Sequence, residues 1–406
     1  MDRAHTRGQP TAVTAVRSMV AGSPPHAVLF AGPPGVGKTT LALDLAAGLL
    51  CRPVDGAERP CRDCRACRMV EHGNHPDLHR LGPVGPGGQV VIGGSDAKFR
   101  GVRDLVAELA LLPVEGGARV AIIERADRMN EDAQSALLKT LEEPPPGVTI
   151  VLCADEEERL LPTVRSRCAR VRLGPVGPRE IEAILGAHDA ADAPTAARLG
   201  RLASGRPGLA MAYARAPHSL LIRAELARAL LDMLGQRPAT RLEALRTLVP
   251  RAAELVAALE APVASPDGGE KPKRGAGRSR SPAIRPQPGV TDADGVTDGA
   301  PDALVDDEPA RRAPAAERRR GVGVLIAIWT DLTRDLLLAG LGSASAIRDV
   351  ALLDELQAVA GDLPPADLAA FLGRLGLAGE RLEANVTPEL VLDTLVLDWP
   401  RRPAAA

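Results

Sequence analysis

The feature that most constrains the fold is a glycine-rich loop between a predicted strand and a predicted helix. Residues 32–39 read Gly-Pro-Pro-Gly-Val-Gly-Lys-Thr and match the pattern G-x-x-x-x-G-K-[ST]. The run AVLFA at 27–31 is typical of a buried strand, and residues 39–50 carry apolar side chains at helical spacing. This order of strand, loop and helix predicts an α/β domain with a phosphate-binding loop.

The loop contains the groups that bind the phosphates of a nucleotide. Its glycines let backbone N–H groups converge on phosphate oxygens, and the helix dipole favours the negative charge. Lys38 would reach the outer phosphates, and the Thr39 hydroxyl would bind Mg²⁺. We predict ATP or ADP with Mg²⁺, held as a structural ligand or turned over; a glycine- and proline-rich turn without a ligand is the alternative. The predicted binding residues are Gly32, Pro33, Pro34, Gly35, Val36, Gly37, Lys38, Thr39, Thr40 and Glu124.

The composition strengthens the assignment of Lys38. Only five of the 50 basic residues are lysine, which leaves 45 arginines. Where arginine is the default cation, a lysine marks a place that suits a compact ammonium and not a broad guanidinium. The bias therefore favours a ligand at this loop.

Hydrolysis of a nucleotide needs acidic residues in addition to the loop. A P-loop ATPase usually has an Asp for Mg²⁺ after a later buried strand, and in many families a Glu that orients water. Here the run RVAII at 119–123 leads into Glu124 and Arg125. Glu124 can help to hold the metal, but the guanidinium of Arg125 accepts no proton from water. We predict weak or absent hydrolysis, unless Asp127 or Glu131 supplies the missing carboxylate.

Strands and helices alternate in the first part of the chain. This alternation is typical of a mostly parallel sheet covered by helices on both faces. Beyond residue 174 the strand signal disappears, and the second part of the chain is predicted to be all-helical. The predicted strands are 27–31, 119–123 and 148–153, and the predicted helices are 39–50, 102–112, one capped by Asn130, 178–186, 192–203, 207–214, 219–235, 239–260 and 322–341.

One segment in the helical part has the composition of a linker. Residues 261–321 contain nine Pro and eight Gly among 61 residues, and their charges occur in blocks of one sign. Such a segment has too few large apolar side chains to offset the entropy of ordering. We therefore predict a disordered linker over this range.

Four of the six cysteines lie close together after the helix that follows the loop. Cys51, Cys61, Cys64 and Cys67 have the spacing C-x9-C-x2-C-x2-C. Four thiolates can close a tetrahedral Zn²⁺ site, which leaves no position for water or substrate. We predict a structural zinc module at 51–81; an iron–sulfur cluster and free thiols are the alternatives.

Charge and hydropathy exclude several classes of protein. The chain has 50 basic and 52 acidic side chains, so any contact with DNA must be local or shared with partners. No uncharged apolar run reaches the roughly 18 residues of a transmembrane helix, and the N-terminus lacks the apolar core of a secretion signal. Because the clustered cysteines suit a reducing compartment, a cytoplasmic protein without membrane contact is expected.

Several motifs together resemble one protein family. GPPGVGKTT at 32–40 is followed by the four-cysteine insert, by ADRMNEDAQSALLKTLEEPPP at 126–146 and by LPTVRSRC at 161–168. In this order they resemble the bacterial clamp-loader subfamily of AAA+ proteins, closely over residues 9–215 and in architecture beyond. The implied division of the chain is an α/β P-loop AAA+ domain at 1–173 with the zinc module inserted, a small helical lid at 174–215, and an all-α collar domain at 216–260 and 322–400 on either side of the linker.

The resemblance implies a role in DNA replication. In this family the Arg of the Ser-Arg-Cys motif, here Arg167, reaches into the ATP site of the neighbouring subunit as an arginine finger. Considered alone, Arg167 is one surface arginine among 45. Motor subunits of the family usually have Asp-Glu where this chain has Glu124 and Arg125, so the resemblance implies the stator subunit of a clamp loader. The implied partners are the motor (tau/gamma) and delta subunits of a hetero-pentamer, with the sliding clamp and primed DNA reached through the complex.

Two other functions are kept as hypotheses. The first assigns the chain to the motor position of the same complex, as an ATPase. A stand-alone zinc-containing P-loop kinase or transferase is the second alternative, although no acceptor-binding pattern follows the loop. ATP hydrolysis by the purified chain in the presence of DNA distinguishes the motor from the stator.

Overall fold

The computed structural model describes residues 3–53, 58–85, 88–94, 97–115, 117–261, 315–384 and 386–402. At the centre of the first part lies a sheet of five parallel strands in the order β2-β3-β4-β1-β5. The parallel sheet that the alternation predicts is confirmed. The strands are β1 Ala27–Ala31, β2 Leu78–Leu81, β3 Arg119–Ile123, β4 Val148–Ala154 and β5 Ala169–Arg172.

The three central strands are those that the sequence predicts. β1, β3 and β4 are buried at every residue, and strands buried on both faces appear in a sequence as apolar runs. The edge strands β2 (LHRL) and β5 (ARVR) are absent from the prediction because each is short and half of its residues are polar or charged, so neither forms an apolar run. Since β2 belongs to the sheet, the cysteine module ends before residue 78 and not at 81.

Helices pack on both faces of this sheet. They are α1 Pro10–Ala21, α2 Lys38–Leu50, α3 Arg65–Glu71, α4 Val102–Leu109, α5 Glu131–Glu142 and α6 Pro162–Arg165. α1, α2 and α3 share a core with Val28 and Phe30, whereas α4 and α5 share a core with Leu29 on the opposite face. The predicted cap of α5 is confirmed, since Asn130 Oδ1 accepts the N–H of Ala133 at 3.0 Å.

From residue 174 onward the described residues form helices and short connections, as predicted. The helices are α7 Pro178–Ala187, α8 Ala193–Leu202, α9 Pro207–Arg215, α10 His218–Asp232, α11 Pro238–Glu260, α12 Ala315–Gly340, α13 Leu353–Ala360, α14 Pro365–Glu383 and α15 Pro388–Asp398. Because α12 begins at Ala315, residues 315–321 of the predicted linker are helical; residues 262–314 of that prediction lie outside the described residues. None of the described helices is both long enough and apolar enough to cross a membrane.

The helical part is held together by one continuous core. Buried apolar residues from Val176 to Trp399 form a single cluster that joins the predicted lid to the predicted collar. Within it, the rings of Trp329, Phe371 and Trp399 lie 4.7 to 5.4 Å apart between centroids. Both tryptophans of the chain are buried here, so tryptophan fluorescence reports the packing of the helical part.

A buried arginine fastens the last described residues to this core. The side chain of Arg241 is fully buried, and its guanidinium donates to the carbonyl oxygens of Trp399 at 2.6 Å and Pro400 at 2.9 Å. It also donates to the carbonyl oxygens of Gln236 at 3.1 Å and Leu234 at 3.3 Å. These bonds satisfy a buried cation without a carboxylate, and the cation in turn satisfies the carbonyls at the end of the chain's last helix.

We expect Arg241→Ala to lower the free energy of unfolding by about 4 kcal/mol, because each buried carbonyl left unpaired costs about 1–3 kcal/mol. Tryptophan fluorescence during urea unfolding measures this change. Arg246→Ala is the matched control, since Arg246 is exposed on the same helix and its loss should matter by less than about 0.5 kcal/mol. If both variants were equally stable, the role given to Arg241 would be wrong.

Candidate nucleotide site and metal centre

The predicted phosphate loop lies at the carboxyl end of β1 and ends in α2. Gly37 is the residue before α2 and has φ of 103°, a left-handed conformation that favours glycine. At Gly32 an added Cβ would lie 2.1 Å from the carbonyl oxygen of Leu173, so only glycine allows this approach of two backbones. The loop therefore has the shape that the sequence predicts, with its amides at the amino end of a helix.

Lys38 lies at the base of the loop and uses all three of its donor hydrogens. Its Nζ lies 2.6 Å from Asp155 Oδ1 and donates to the carbonyl oxygens of Gly32 and Pro33, both at 2.7 Å. The Lys38 and Asp155 side chains are only 6% and 9% exposed. The ammonium is thus held at the base of the loop by three protein acceptors.

Asp155 is a site residue that the sequence analysis missed. It follows β4 directly, and β4 is the neighbour of β1 in the sheet, so the two carboxyl ends meet. Its backbone N–H donates to Asp127 Oδ1 at 2.9 Å, which fixes the turn. The signal was present in the sequence, because an acidic residue after a predicted central strand of a parallel sheet belongs to the ligand-binding edge.

The two residues after β3 are occupied by ion pairs. Glu124 Oε1 accepts from Nε and Nη2 of Arg80, on β2, at 2.9 and 2.5 Å. Arg125 has a left-handed backbone, with φ of 53°, and its Nε lies 2.9 Å from Asp155 Oδ2. A guanidinium and a neutralised carboxylate therefore stand where a hydrolysing enzyme needs a free carboxylate. Asp127, the possible replacement, is buried and supports the Asp155 backbone.

A cavity of about 540 Å³ surrounds the loop, a size within the range of ligand pockets. Its walls come from the N-terminal segment 5–7, the phosphate loop, the ends of β3 and β4, and the helical residues that follow 174. The phosphate loop contacts the helical residues directly, because the N–H of Gly208 donates to the carbonyl oxygen of Gly35 at 3.3 Å. The lining residues are His5, Thr6, Arg7, Pro34, Gly35, Val36, Gly37, Lys38, Thr39, Thr40, Glu124, Arg125, Cys153, Asp155, Ile184, His188, Pro207, Gly208, Met211 and Arg215.

The four clustered cysteines come together beside α2. The Sγ atom of Cys51 lies 3.5 Å from that of Cys61 and 4.0 Å from that of Cys64, and all four Sγ atoms, with Cys67, lie within 4.8 Å of one another. A tetrahedron with Zn–S bonds of about 2.3 Å has sulfur–sulfur edges of about 3.8 Å. The spacing is therefore suitable for one zinc ion.

The chemistry of these thiols also favours a cation. Burial raises the pKa of the Cys51 thiol to about 11. At Cys61, burial acts to raise the pKa as well, but backbone N–H groups of Cys64 and Asp63 bring it down to about 7. Four sulfurs packed this closely, three of them in buried cysteines, repel one another as bare thiolates, and a bound divalent cation would stabilise the thiolate form.

The two remaining cysteines have no such arrangement. Cys153 is buried on β4, and burial raises its pKa to about 12; Cys168 is half-buried, and burial raises its pKa to about 11. Thiols with such pKa values are poor nucleophiles. We assign both to packing, although Cys153 also lines the cavity.

Arg167 lies outside the cavity of its own chain. It follows α6, and its Nη2 atom lies 2.6 Å from Glu142 Oε1 while Nη1 donates to the carbonyl oxygen of Thr163 at 2.8 Å. About a third of its side chain is exposed. The guanidinium is thus held at the surface by two bonds and is free to meet another molecule on its remaining edge.

Comparison with known proteins relates the first part of the chain to replication proteins. Residues 8–177 match the family model described as "DNA polymerase III, delta subunit". These residues are therefore similar to that family over one continuous stretch of the chain. DNA polymerase III subunit delta' of Bacillus subtilis (strain 168) is 36% identical over 157 residues, which are 39% of this chain and 44% of that protein. The delta' subunit of Escherichia coli (strain K12) is 37% identical over 199 residues, 48% of this chain and 57% of that protein.

Subunits of a second kind also match. DNA polymerase III subunit tau/gamma of Haemophilus influenzae is 34% identical over 149 residues, 36% of this chain and 20% of that protein. The family resemblance drawn from the motifs is confirmed. The chain spans about half the length of the delta-prime relatives. The residues matched by the family model include the phosphate loop and the four cysteines.

Proposed function

We propose that the chain is the stator, or delta-prime, subunit of a DNA polymerase III clamp loader, a cytoplasmic complex that places the sliding clamp on primed DNA. The observation that carries this proposal is the pair of contacts after β3, where Arg80 neutralises Glu124 and Arg125 contacts Asp155. A subunit with these contacts holds a nucleotide without hydrolysing it. The higher identity to delta-prime relatives, 36% and 37% against 34% for tau/gamma, supports the same assignment.

The nucleotide would be held by the loop as a structural ligand. The amides of the loop would bind the phosphates, and the Lys38 ammonium would exchange one of its two loop carbonyls for a phosphate oxygen. The Thr39 hydroxyl would contact Mg²⁺. Water attack needs a carboxylate that is free to orient the nucleophile, and the ion pair with Arg80 occupies Glu124. The bound nucleotide would therefore fix the helical lid against the loop, through contacts such as Gly208 to Gly35, without being consumed.

The chain would contribute to hydrolysis in another subunit. Arg167 is anchored at the surface and does not line the cavity of its own chain, which suits an arginine finger that completes the ATP site of a motor (tau/gamma) neighbour. The all-helical part would hold the chain in a collar with the motor and delta subunits. In this hetero-pentamer the clamp and the DNA are reached through the assembly.

The alternative is a motor subunit of the same complex. The intact shape of the phosphate loop and the match to tau/gamma favour it. The two assignments differ in one measurable quantity, the rate at which the purified chain releases phosphate from ATP when primed DNA is added. Turnover within tenfold of a motor subunit assayed alongside would support the motor and reject the stator.

Binding without hydrolysis gives a direct test of the cavity. We expect the wild-type chain to bind a fluorescent ADP and ATP and to release no phosphate, while Lys38→Ala weakens binding by about 10- to 100-fold, because a charged hydrogen bond contributes about 1.5–3 kcal/mol. Asp155 keeps its contact with Arg125 in this variant, so the fold should survive. Lys139→Ala, at an exposed position of α5, is the control and should bind like the wild type. Equal affinity of both variants would contradict a nucleotide at the loop.

A further inference from the structure

A buried carboxylate in α2 holds the N-terminal segment of the chain. Asp44 is 1% exposed, and its two oxygens accept the backbone N–H groups of His5 at 3.0 Å and Thr6 at 2.8 Å. A carboxylate buried to this extent also needs a cation as a partner. The partner comes from a different part of the sequence.

That cation is Arg62, which lies between two of the clustered cysteines. Its Nη2 forms an ion pair with Asp44, and its Nη1 lies 3.5 Å from Glu71 on α3. The Arg62 side chain is only 10% exposed, and its backbone has φ of 65°. The tight turn that directs Arg62 towards Asp44 is the one that brings Cys61 and Cys64 together.

Further bonds join the same two segments. Arg62 Nε donates to the carbonyl oxygen of Arg3 at 3.1 Å, and Arg3 Nη1 donates to the carbonyl oxygen of Cys61 at 2.7 Å. Arg3 also forms an ion pair with Asp63. Residues 3–6 and 61–63 are therefore linked in both directions, with Asp44 of α2 between them.

The N-terminal segment that these bonds hold is a wall of the nucleotide cavity. His5, Thr6 and Arg7 line the cavity, as do helical residues that follow residue 174. Asp44 stands six residues after Lys38 on the same helix, so the phosphate end and this wall share one rigid element. The four-cysteine turn thus lies outside the cavity but is connected to its wall through two buried side chains.

We infer that the metal centre positions this wall, so that zinc occupancy and nucleotide affinity are thermodynamically coupled through Arg62 and Asp44. The inference rests on the proposed binding of a nucleotide and adds a regulatory role for the cysteines. Without the metal, the turn loses the geometry that directs Arg62, Asp44 loses its cation, and segment 5–7 is released from α2. Loss of zinc, by chelation or by thiol oxidation, would then weaken nucleotide binding without touching the loop itself.

Coupling of this kind is reciprocal. If zinc raises the affinity for ADP by some factor, ADP must raise the affinity for zinc by the same factor. We expect a factor of about 10, within the usual range of about 5 to 150 for coupled sites. Arg62 and Asp44 are positioning residues in this scheme, since neither lines the cavity.

The experiment uses the full chain and separates the wall from the metal. Arg62→Met removes the cation and keeps all four sulfur ligands. Asp44→Asn, the second variant, removes the negative charge that Arg62 contacts. Arg65→Ala is the control, because Arg65 is 78% exposed on the same module. Hydrogen exchange measures protection of the His5 and Thr6 amides, fluorescent ADP measures nucleotide affinity, and a chromogenic chelator measures zinc affinity with and without ADP.

We expect Arg62→Met to retain one zinc per chain, to exchange the two amides at least tenfold faster and to bind ADP about tenfold more weakly. Asp44→Asn should behave in the same way, and Arg65→Ala should behave like the wild type. In the wild type, ADP should strengthen zinc binding by the same factor, and in Arg62→Met this effect should vanish. Unchanged amide exchange would overturn the inference, as would faster exchange with unaltered ADP affinity. A wild-type chain that binds no ADP would reject the nucleotide proposal, whereas a wild type that binds ADP equally with and without zinc would reject the coupling alone.

Discussion

Arg167→Ala is expected to lower ATP hydrolysis at the neighbouring subunit's site by about 10³-fold in the assembled complex, while the complex still forms. Supply of a planar cation to the transferring phosphoryl group contributes about 10³ to 10⁵ in rate. In this chain Arg167 is held by Glu142 and by the carbonyl of Thr163, so its position is fixed before a partner arrives. Loss of one half-exposed ion pair changes stability by less than about 1 kcal/mol, and assembly should therefore be unaffected.

The measurement must isolate one site of several. Phosphate release in a single turnover, with sliding clamp and primed DNA present, shows the missing site as a lost amplitude, while native mass spectrometry verifies the complex. Arg167→Lys keeps the charge but loses the planar fork, so we expect it to recover only part of the rate. Arg170→Ala, at an exposed position of β5, is the control and should retain full amplitude. If Arg167→Ala kept the full amplitude too, the finger would belong to another residue.

The parts of the fold that the sequence predicts are those in which one physical signal dominates. β1, β3 and β4 are buried on both faces and therefore appear as apolar runs. The phosphate loop is predictable because a strand, two required glycines and a lysine must occur in a fixed order. The four cysteines are predictable because metal geometry limits their spacing, and in the structure they meet within 4.8 Å.

The parts that were missed depend on contacts between distant segments. β2 is an edge strand, and its charged residue Arg80 is typical of a loop when only the sequence is considered. In the structure this side chain forms an ion pair with Glu124. Asp155 becomes a partner of Lys38 only because β4 lies next to β1, an order that single strands do not reveal. The predicted helix 102–112 ends at Leu109 instead, where the chain turns. No local sequence pattern marks the residue at which this helix ends.

The same limit applies to Asp44 and Arg62. In the sequence Asp44 is an acidic residue inside an apolar helix, and Arg62 is one arginine among 45. Their pairing appears only when the cysteine turn folds back onto α2. A carboxylate on the buried side of a predicted helix is nevertheless a usable signal, because it requires a partner.

Removal of one cysteine ligand should have the largest effect on stability in the α/β part of the chain. We expect Cys64→Ser to lose about one equivalent of zinc and to lower the free energy of unfolding by several kcal/mol, since binding of structural zinc contributes folding free energy directly. The remaining three sulfurs would stay within 4.8 Å of one another without a cation. Because zinc binding requires thiolates, acidification should release the metal from the wild type as well.

One measurement counts the metal, and two optical signals show which part of the chain is destabilised. Elemental analysis counts the metal, and circular dichroism follows the helices of the whole chain during heating, while tryptophan fluorescence follows the helical part alone through Trp329 and Trp399. An effect confined to the α/β part should lower the temperature of the first transition seen by circular dichroism. The temperature of the fluorescence transition should then stay unchanged. Cys168→Ser is the matched control, because it makes the same substitution at a half-buried thiol outside the cluster. A wild-type chain without zinc would reject the zinc centre. Bound iron with visible absorbance would instead identify an iron–sulfur cluster.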